Sequence, residues 1–310
     1  MLAQNIRQRN SEKKTKPFKV KWFYECFGIS KQAFYKRLNA IAVTHHNEKI
    51  IIDLVKQYRN RVGHKTGGIK LYNELKTSFV DQNIKIGRDK FYGVLKRHNL
   101  LIKKTKRYHI TTNSNHMFYK YKNLILNSIP TRPEQVWVCD ITYIHTEQGH
   151  NYLAIITDAY SKKIMGYMLD NHMRVSLCLD ALKMALKNRI YPNKALIIHS
   201  DRGIQYCNPK YTKFAEENGL QISMTEKYDP YENAIAERIN RTLKYEYGLN
   251  LKLKNTAIAK KIAKESISIY NNLRTHFSLD LKKPEEVHQK PDVKYKSYRK
   301  KNVNLHELTI

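Results

Sequence analysis

Three carboxylates in the sequence have the residue types and settings that a metal-dependent enzyme needs. Asp140 lies inside the β-branched and aromatic stretch 136–144, which predicts a strand in which a buried, unpaired carboxylate would be costly. Asp201 follows the apolar run 195–198, which predicts a second, buried strand. Glu237 lies in a stretch of helical periodicity. Because all three side chains offer only oxygen ligands, the set favours hard divalent cations such as Mg²⁺ or Mn²⁺.

Residues 233–246 predict a helix that carries Glu237 on a polar face. Asn233, Arg241 and Lys244 share this face at helical spacing, and apolar residues occupy the opposite side. An acid flanked by cations suits a catalytic carboxylate beside a phosphate backbone, but it also describes an ordinary salt-bridge face. Asp201 taken alone likewise fits a turn residue that caps the next element.

Taken together, the three acids resemble the Asp-Asp-Glu triad of the retroviral-integrase superfamily. Thirty-five residues lie between Asp201 and Glu237, a spacing typical of many insertion-sequence transposases. Lys244 matches the basic residue that these transposases carry seven positions after the glutamate. The stretch 270–279 and Pro284 resemble their closing motif of Tyr-Asn, Arg-x-His, Leu and Pro.

The chain is therefore similar to insertion-sequence transposases of the two-reading-frame (frameshifting) DDE family over about residues 50–287. The resemblance implies that Asp140, Asp201 and Glu237 are the catalytic residues and the ligands of two Mg²⁺ or Mn²⁺ ions. It implies an enzyme that cleaves the ends of a mobile insertion element and transfers the free 3′-hydroxyl to another DNA phosphodiester. Glu232 competes for the third place in the triad, and the spacing selects Glu237.

The same resemblance implies DNA partners, namely the terminal inverted repeats of the element and the target DNA. Synapsis of two ends implies a homo-oligomer, at least a dimer. Two alternatives remain for the chain: activity on its own, or activity only as a frameshift fusion with an upstream-frame product. Two functions from other classes also remain open, a DNA-binding regulator with an idle catalytic fold and a nuclease for RNA–DNA hybrids.

The composition independently indicates a polyanionic partner. The chain carries 57 Lys and Arg against 27 Asp and Glu, a formal net charge of +30, and residues 1–130 hold most of the excess. Such a charge repels itself unless nucleic acid is near. No apolar run approaches the roughly 20 residues of a membrane span. The four scattered cysteines predict neither a disulfide framework nor a zinc site, so a reducing cytoplasm is expected. The resemblance to insertion-sequence transposases implies that this cytoplasm is prokaryotic and that the protein associates with the nucleoid.

Residues 1–44 predict a basic arm followed by a first helix-turn-helix, with Gly28 in the turn and Ser30 as the cap of the second helix. An ordinary helical hairpin is the alternative, and the positive charge favours DNA binding. A linker is predicted over residues 43–47. The cations expected to contact DNA in this region are Lys31, Lys36 and Arg37.

Residues 45–116 predict a second helix-turn-helix domain, with a candidate recognition helix over residues 88–98. Residues 117–130 are predicted as a linker that contains a short helix over residues 117–126. The cations expected to contact phosphates in the second domain are Arg88, Lys96, Arg97, Lys103 and Lys104. Those expected to do so in the catalytic region are Lys244, Arg241 and Arg202.

From residue 131 the pattern changes to consecutive strands, and the predicted fold class is α/β. The order of elements is that of a ribonuclease-H-like core, a mixed five-stranded sheet with flanking helices, over residues 131–290. Asp158 is the chief rival for a metal-ligand role, and we interpret it as a structural residue. Residues 291–310 are predicted as a basic tail. The predicted strands cover residues 136–145, 151–160, 163–170, 195–198 and 221–224.

Overall fold

The structure is a computed structural model that describes residues 19–102, 117–226, 233–291 and 306–308. The chain divides into two compact units. Unit 1 comprises Met1–Gln57 and Leu71–Leu101, and unit 2 comprises Tyr58–Lys70 and Ile102–Ile310. Several predictions concern residues outside the described ranges, namely the basic arm, Lys103, Lys104, Glu232 and most of the tail.

Unit 1 is helical, as predicted. Its helices begin with α1, a short helix that a turn at Gly28 (φ 63°) separates from the long helix α2. The predicted cap is present, because Ser30 Oγ accepts a hydrogen bond from Ala33 N at 3.1 Å. Further along lie α3, α4 and α5. The bounds are Val20–Cys26 for α1, Lys31–Val62 for α2, Gly68–Glu74 for α3, Lys76–Asp81 for α4 and Arg88–Arg97 for α5. Residues 58–62 of α2 and 68–70 of α3 belong to unit 2.

The linker predicted over residues 43–47 is wrong, since these residues continue α2 without a break. Neither Gly nor Pro occurs within Lys31–Val62, so nothing in the sequence removes a hydrogen bond or frees the backbone. The second helix of the predicted helix-turn-helix is thus the start of a helix of 32 residues, and the proposed boundary at residue 44 lies inside it.

Aromatic rings form the two small cores of unit 1. Phe34, 6% exposed, contacts Phe23 and Tyr24 with ring centroids 5.9 and 5.7 Å apart, and this joins α1 to α2. Phe91 of α5 contacts Phe79 at 5.7 Å, and buried residues of α2 lie in the same unit.

The core of unit 2 is the predicted mixed five-stranded sheet, with strand order β4-β3-β2-β5-β6. Strands β2, β3 and β4 are antiparallel neighbours, whereas β5 pairs in parallel with both β2 and β6. This topology confirms the ribonuclease-H-like expectation. The bounds are Val136–Thr146 for β2, Gly149–Asp158 for β3, Ile164–Asp170 for β4, Leu196–Ser200 for β5 and Leu220–Met224 for β6.

Helices cover both faces of the sheet, and each face has its own apolar core. On one face Trp137 and Cys139 pack among residues of α6 and α8. On the other face Ile144 and Leu153 pack with Leu243 of α9 and with residues of α10. The bounds are Val175–Lys187 for α6, Ile204–Cys207 for α7, Pro209–Glu217 for α8, Ala234–Glu246 for α9, Thr256–Asn272 for α10 and Pro284–Gln289 for α11.

The short helix predicted over residues 117–126 is also wrong. This segment lies along the edge strand β6, where Leu124 N donates to Ser223 Oγ at 2.9 Å and Met224 N donates to Lys122 O at 3.3 Å. An exposed strand edge offers unpaired backbone groups, and one of them, Met224 N, pairs with this segment, which is irregular and ends in a turn. A second, two-stranded parallel sheet joins β1 (Ser128–Ile129) to β7 (His306–Glu307). No helix in the described ranges has both the length and the apolar character that crossing a membrane requires.

Candidate active site

The sheet places Asp140 and Asp201 on neighbouring strands. Parallel pairing of β2 with β5 runs through Val136 with Ile197 and Val138 with His199. Asp140 lies two residues beyond Val138, and Asp201 lies two residues beyond His199, directly after the end of β5. Since partners in a parallel pair project to the same face, the two carboxylates meet at one edge of the strand pair.

The carboxylate of Asp140 accepts two hydrogen bonds. Asn240 Nδ2 of α9 donates to its Oδ2 at 2.7 Å, and Ile141 N donates to its Oδ1 at 2.9 Å. Burial, the charge of Asp201 and, to the smallest extent, the charge of Glu237 nevertheless raise the pKa of Asp140 to about 7. The three predicted acids therefore interact electrostatically, and their mutual repulsion is what a divalent cation would relieve.

Glu237 reaches this edge from the first turn of α9. Its side chain is exposed, although partial burial of the carboxyl raises its pKa. Two asparagines on the same side of the helix connect α9 to β2. Asn240 donates to the carboxylate of Asp140, and Asn233 Nδ2 donates to Cys139 O at 3.0 Å. Within the described residues no ion pair joins Glu237 to a Lys or Arg, so the salt-bridge interpretation of this face is not what the structure shows.

Asp201 also takes part in the turn that follows β5. Gly203 N donates to its Oδ1 at 3.0 Å, and a Cβ built on Gly203 would lie 3.0 Å from the same oxygen. A glycine at this position lets the backbone approach the carboxylate closely. Asp201 therefore takes part in the turn and also lies beside Asp140, so the two interpretations are compatible.

The donor chemistry of this edge fits a small, hard cation. Within the described ranges, no three His, Cys, Asp or Glu side chains lie close enough together to hold a metal ion. Mg²⁺, however, keeps several of its waters and is commonly bound through one or two carboxylates. Asp140 and Asp201 supply such a pair, with Glu237 within electrostatic range of it.

Two predicted DNA contacts lie on α9 beside these acids. Lys244 is half-buried; burial lowers its pKa, and the charge of Asp140 partly offsets this effect. Arg241 is exposed on the same helix, and Arg202, which follows Asp201, is half-buried. Cations from α9 and from the end of β5 therefore flank the carboxylates.

The cations of unit 1 that were predicted to contact DNA differ in exposure and in ion pairing. Lys31, Lys36 and Arg37 are exposed on α2, and Lys96 is exposed on α5. By contrast, Arg88 pairs with Asp89 at 3.0 Å and Arg97 pairs with Glu48. Lys103 and Lys104 lie outside the described residues.

Asp158 is fully buried in a polar network that sequence reasoning did not foresee. Its oxygens accept hydrogen bonds from Glu134 N, Ser161 N and Ser161 Oγ at 2.6, 2.6 and 2.7 Å. Ser161 Oγ also lies 3.0 Å from His288 Nδ1, and His288 Nε2 lies 3.3 Å from Glu134 Oε1. These contacts support the structural interpretation of Asp158.

Glu134 is the second acid of this network. Burial alone would raise its pKa, but hydrogen bonds from His288, from backbone N–H groups and from Arg189 lower it. The Ser–His–Glu arrangement resembles a hydrolase triad in composition only, because Ser161, His288 and Glu134 are all 0% exposed and no substrate reaches them. The network instead ties α11 to the start of β2.

Asn240 is the site residue that the sequence analysis missed. Asparagine is unfavourable inside a helix, since its side chain competes for backbone hydrogen bonds. Its position one turn after Glu237, among apolar residues that face the sheet, was the available signal. Only the structure shows that this side chain reaches a strand residue one hundred positions away.

Comparisons with known proteins agree with this geometry. Residues 130–230 match an integrase core domain family, and residues 218–284 match a second family with the same description. The chain is 34% identical over 260 residues to an uncharacterized 31 kDa protein of insertion element IS600 from Shigella sonnei, covering 82% of this chain and 93% of that protein. It is 35% identical over 182 residues to the transposase of insertion sequence IS904 from Lactococcus lactis, covering 54% and 72%.

Among solved structures, the magnesium complex of the HTLV-2 integrase catalytic core domain is similar to the chain. The match has 16% sequence identity and a TM-score of 0.40, and it covers 51% of this chain and 97% of that one.

Proposed function

The chain belongs to the insertion-sequence transposases with an integrase core, in the retroviral-integrase superfamily, and from this premise we propose that Asp140, Asp201 and Glu237 form its catalytic centre. Enzymes of this family carry out DNA transposition and integration as polynucleotidyl transferases. The observation that carries the proposal is the electrostatic proximity of three acids from β2, the end of β5 and α9, since the charges of both Asp201 and Glu237 raise the pKa of Asp140.

Asp140, Asp201 and Glu237 would together hold two divalent ions. Asp140 comes from β2, Asp201 from the turn after β5 and Glu237 from α9. Mg²⁺ or Mn²⁺ bound there supplies positive charge that stabilises the negative charge developing on the reacting oxygens. Asn240, which donates to Asp140 Oδ2, keeps that carboxylate oriented while the charge around it changes.

The neighbouring cations orient the DNA. Lys244 and Arg241 lie on the helix that carries Glu237, so a phosphate backbone bound to them passes the carboxylates. Arg202 approaches from the strand side. Such phosphate contacts fix the register and direction of the DNA but carry no sequence information. Recognition of the element ends falls in this scheme to unit 1, where Lys31, Lys36 and other exposed cations lie on helices.

Two steps of bond exchange account for transposition. In the cleavage step, a water oxygen bonds to the phosphorus at the element end, the bond to the 3′-oxygen breaks, and this oxygen takes up a proton. In the joining step, the same 3′-oxygen loses its proton and bonds to a second phosphorus, and the bond from that phosphorus to another 3′-oxygen breaks. This leaving oxygen takes up a proton. Because joining exchanges one phosphodiester for another, it needs neither ATP nor a covalent enzyme intermediate. Joining two ends also requires that they be held together, and we propose a dimer or larger oligomer for that purpose.

A cleavage and joining assay tests this function. Labelled duplex carrying the terminal repeats of the parent element is incubated with the protein and Mg²⁺ or Mn²⁺, with chelator in a parallel sample. We expect nicking at the element end only with metal, and a loss of at least about a thousandfold in Asp201→Ala and Glu237→Gln, because removing catalytic charge costs several kcal/mol of transition-state stabilisation. The matched control is Glu217→Gln, an exposed acid of α8 that should retain activity.

Other outcomes would favour other functions. Binding without nicking, unchanged by the triad substitutions, would favour the regulator or a missing upstream-frame partner, and repeating the assay with the fused protein separates these two. Cleavage of RNA–DNA hybrids without any preference for element ends would favour the hybrid nuclease.

A further inference from the structure

Residues 270–276, which begin the closing motif defined above, have no role in the chemistry described so far. In the structure its first part fastens α10 to the sheet. Asn271 Nδ2 donates to Ile164 O and Asn271 Oδ1 accepts from Ile164 N, both at 2.9 Å. The asparagine thus pairs with the backbone of one residue of β4 as a neighbouring strand would.

The second part of the motif fastens α9. Arg274 is 8% exposed and forms a two-pronged ion pair with Glu246, with Nε to Oε2 at 2.7 Å and Nη2 to Oε1 at 2.8 Å. Its third nitrogen, Nη1, lies 2.9 Å from His276 Nε2, and its guanidinium lies over the ring of Tyr270 at 5.7 Å. Burial and the charge of Arg274 lower the pKa of His276 well below its ordinary range, so the neutral ring accepts this hydrogen bond.

Glu246 is the last residue of α9, the helix that carries Glu237 near its start. An acid at a helix C-terminus is electrostatically unfavourable, because the exposed carbonyl groups already make that end negative. Local preference therefore does not explain Glu246, whereas its pairing with Arg274 does. Polar contacts hold the helix at both ends: those of Asn233 and Asn240 at the site end, and that of Glu246 at the far end.

We propose that Arg274 is a positioning residue that sets the direction of α9 through Glu246, and thereby sets where Glu237 lies relative to Asp140 and Asp201. The inference rests on the proposed function of the three acids. Ile239 and Leu243 also hold the helix, but apolar contacts tolerate small rotations that a two-pronged ion pair does not. A tilt that moves Glu237 by about 1 Å is enough to cost on the order of a hundredfold in rate.

Direct metal binding by the full chain tests this role without relying on catalysis. Free Mn²⁺ is titrated by its electron paramagnetic resonance signal in the wild type, Arg274→Lys and Glu246→Gln. Lysine keeps the charge but cannot form the fork, and glutamine keeps the shape but loses the charge. We expect at least a fivefold weaker apparent Mn²⁺ affinity in each variant, and no further loss in the double variant, because both act through one interaction.

A matched control separates positioning from general stability. Glu285→Gln removes a half-buried ion pair, with Lys163 at 2.8 Å, that lies on α11 rather than α9. It should lower the melting temperature as much as Glu246→Gln while leaving Mn²⁺ affinity unchanged. If Arg274→Lys and Glu246→Gln bind Mn²⁺ as the wild type does while Glu237→Gln does not, the positioning role is overturned and the proposed function stands. If the wild type itself binds no Mn²⁺ and nicks no DNA, the proposed function fails.

Discussion

Asp140→Asn is expected to abolish metal-dependent nicking, by about a thousandfold or more, and yet to raise the melting temperature of the metal-free protein at pH 8. The carboxyl of Asp140 has a pKa of about 7 in the folded chain, above its value of about 4 in an unfolded one. Folding therefore favours the protonated form. The stability that this preference contributes is present at low pH and is lost as the pH rises through 7.

The size of the effect follows from the same shift. A rise in pKa from about 4 to about 7 corresponds to at most about 4 kcal/mol in the free energy of unfolding. Solvent screening reduces this figure, because Asp140 is only half-buried. We expect Asp140→Asn to melt several degrees, roughly 5 °C, above the wild type at pH 8 and at about the same temperature at pH 4. Asp158→Asn is the control, since its carboxylate accepts three hydrogen bonds and its loss should be destabilising at both pH values. Equal destabilisation by the two substitutions at pH 8 would contradict the argument.

Gly166→Ala is expected to destabilise unit 2 by at least about 3 kcal/mol, or to prevent soluble expression. A Cβ at this position of β4 would lie 2.2 Å from Ala181 O and 2.6 Å from Ala185 N, both backbone atoms of α6. A helix backbone cannot move aside as a flexible side chain can, so strand and helix would have to separate. Urea unfolding monitored by circular dichroism measures the loss.

The matched control for this substitution is Gly67→Ala. A Cβ at Gly67 meets no atom within 4 Å, and the backbone there is not left-handed. It should change the free energy of unfolding by no more than about 0.5 kcal/mol. A Gly166→Ala protein as stable as Gly67→Ala would show that the strand and α6 are not packed this closely.

The regular elements around the site could be predicted from sequence because local pattern and tertiary role agree there. Residues 136–145 were predicted as a strand and form β2 over Val136–Thr146; residues 233–246 were predicted as a helix and form α9 over Ala234–Glu246. The cap at Asn208, whose side chain accepts from Lys210 N, and the turn at Gly219 (φ 73°) also follow from residue type alone.

The failures occur where distant contacts decide the local structure. Residues 117–126 were predicted to contain a short helix, but contacts of Lys122 and Leu124 with β6 replace it by irregular structure that ends in a turn. The links from Asn240 to Asp140, from Glu134 to His288 and from Arg274 to Glu246 join residues far apart in sequence, which no periodicity reveals. The roles of the three acids and of the DNA-binding cations stay predictions, which the assays above examine.

The parallel pairing of β2 with β5 has a kinetic consequence. Pairing of Val136 with Ile197 closes a long loop that contains the intervening strands and helix. This closure costs chain entropy before the new contacts can offset it. The small cores of unit 1, such as Phe34 against Phe23, close over a few residues. Chains rich in local contacts fold faster than chains that depend on distant strand pairs. A newly made chain should therefore present its basic helices before its carboxylates are assembled, and refolding followed together by helical circular dichroism and by Mn²⁺ binding would show the lag between the two.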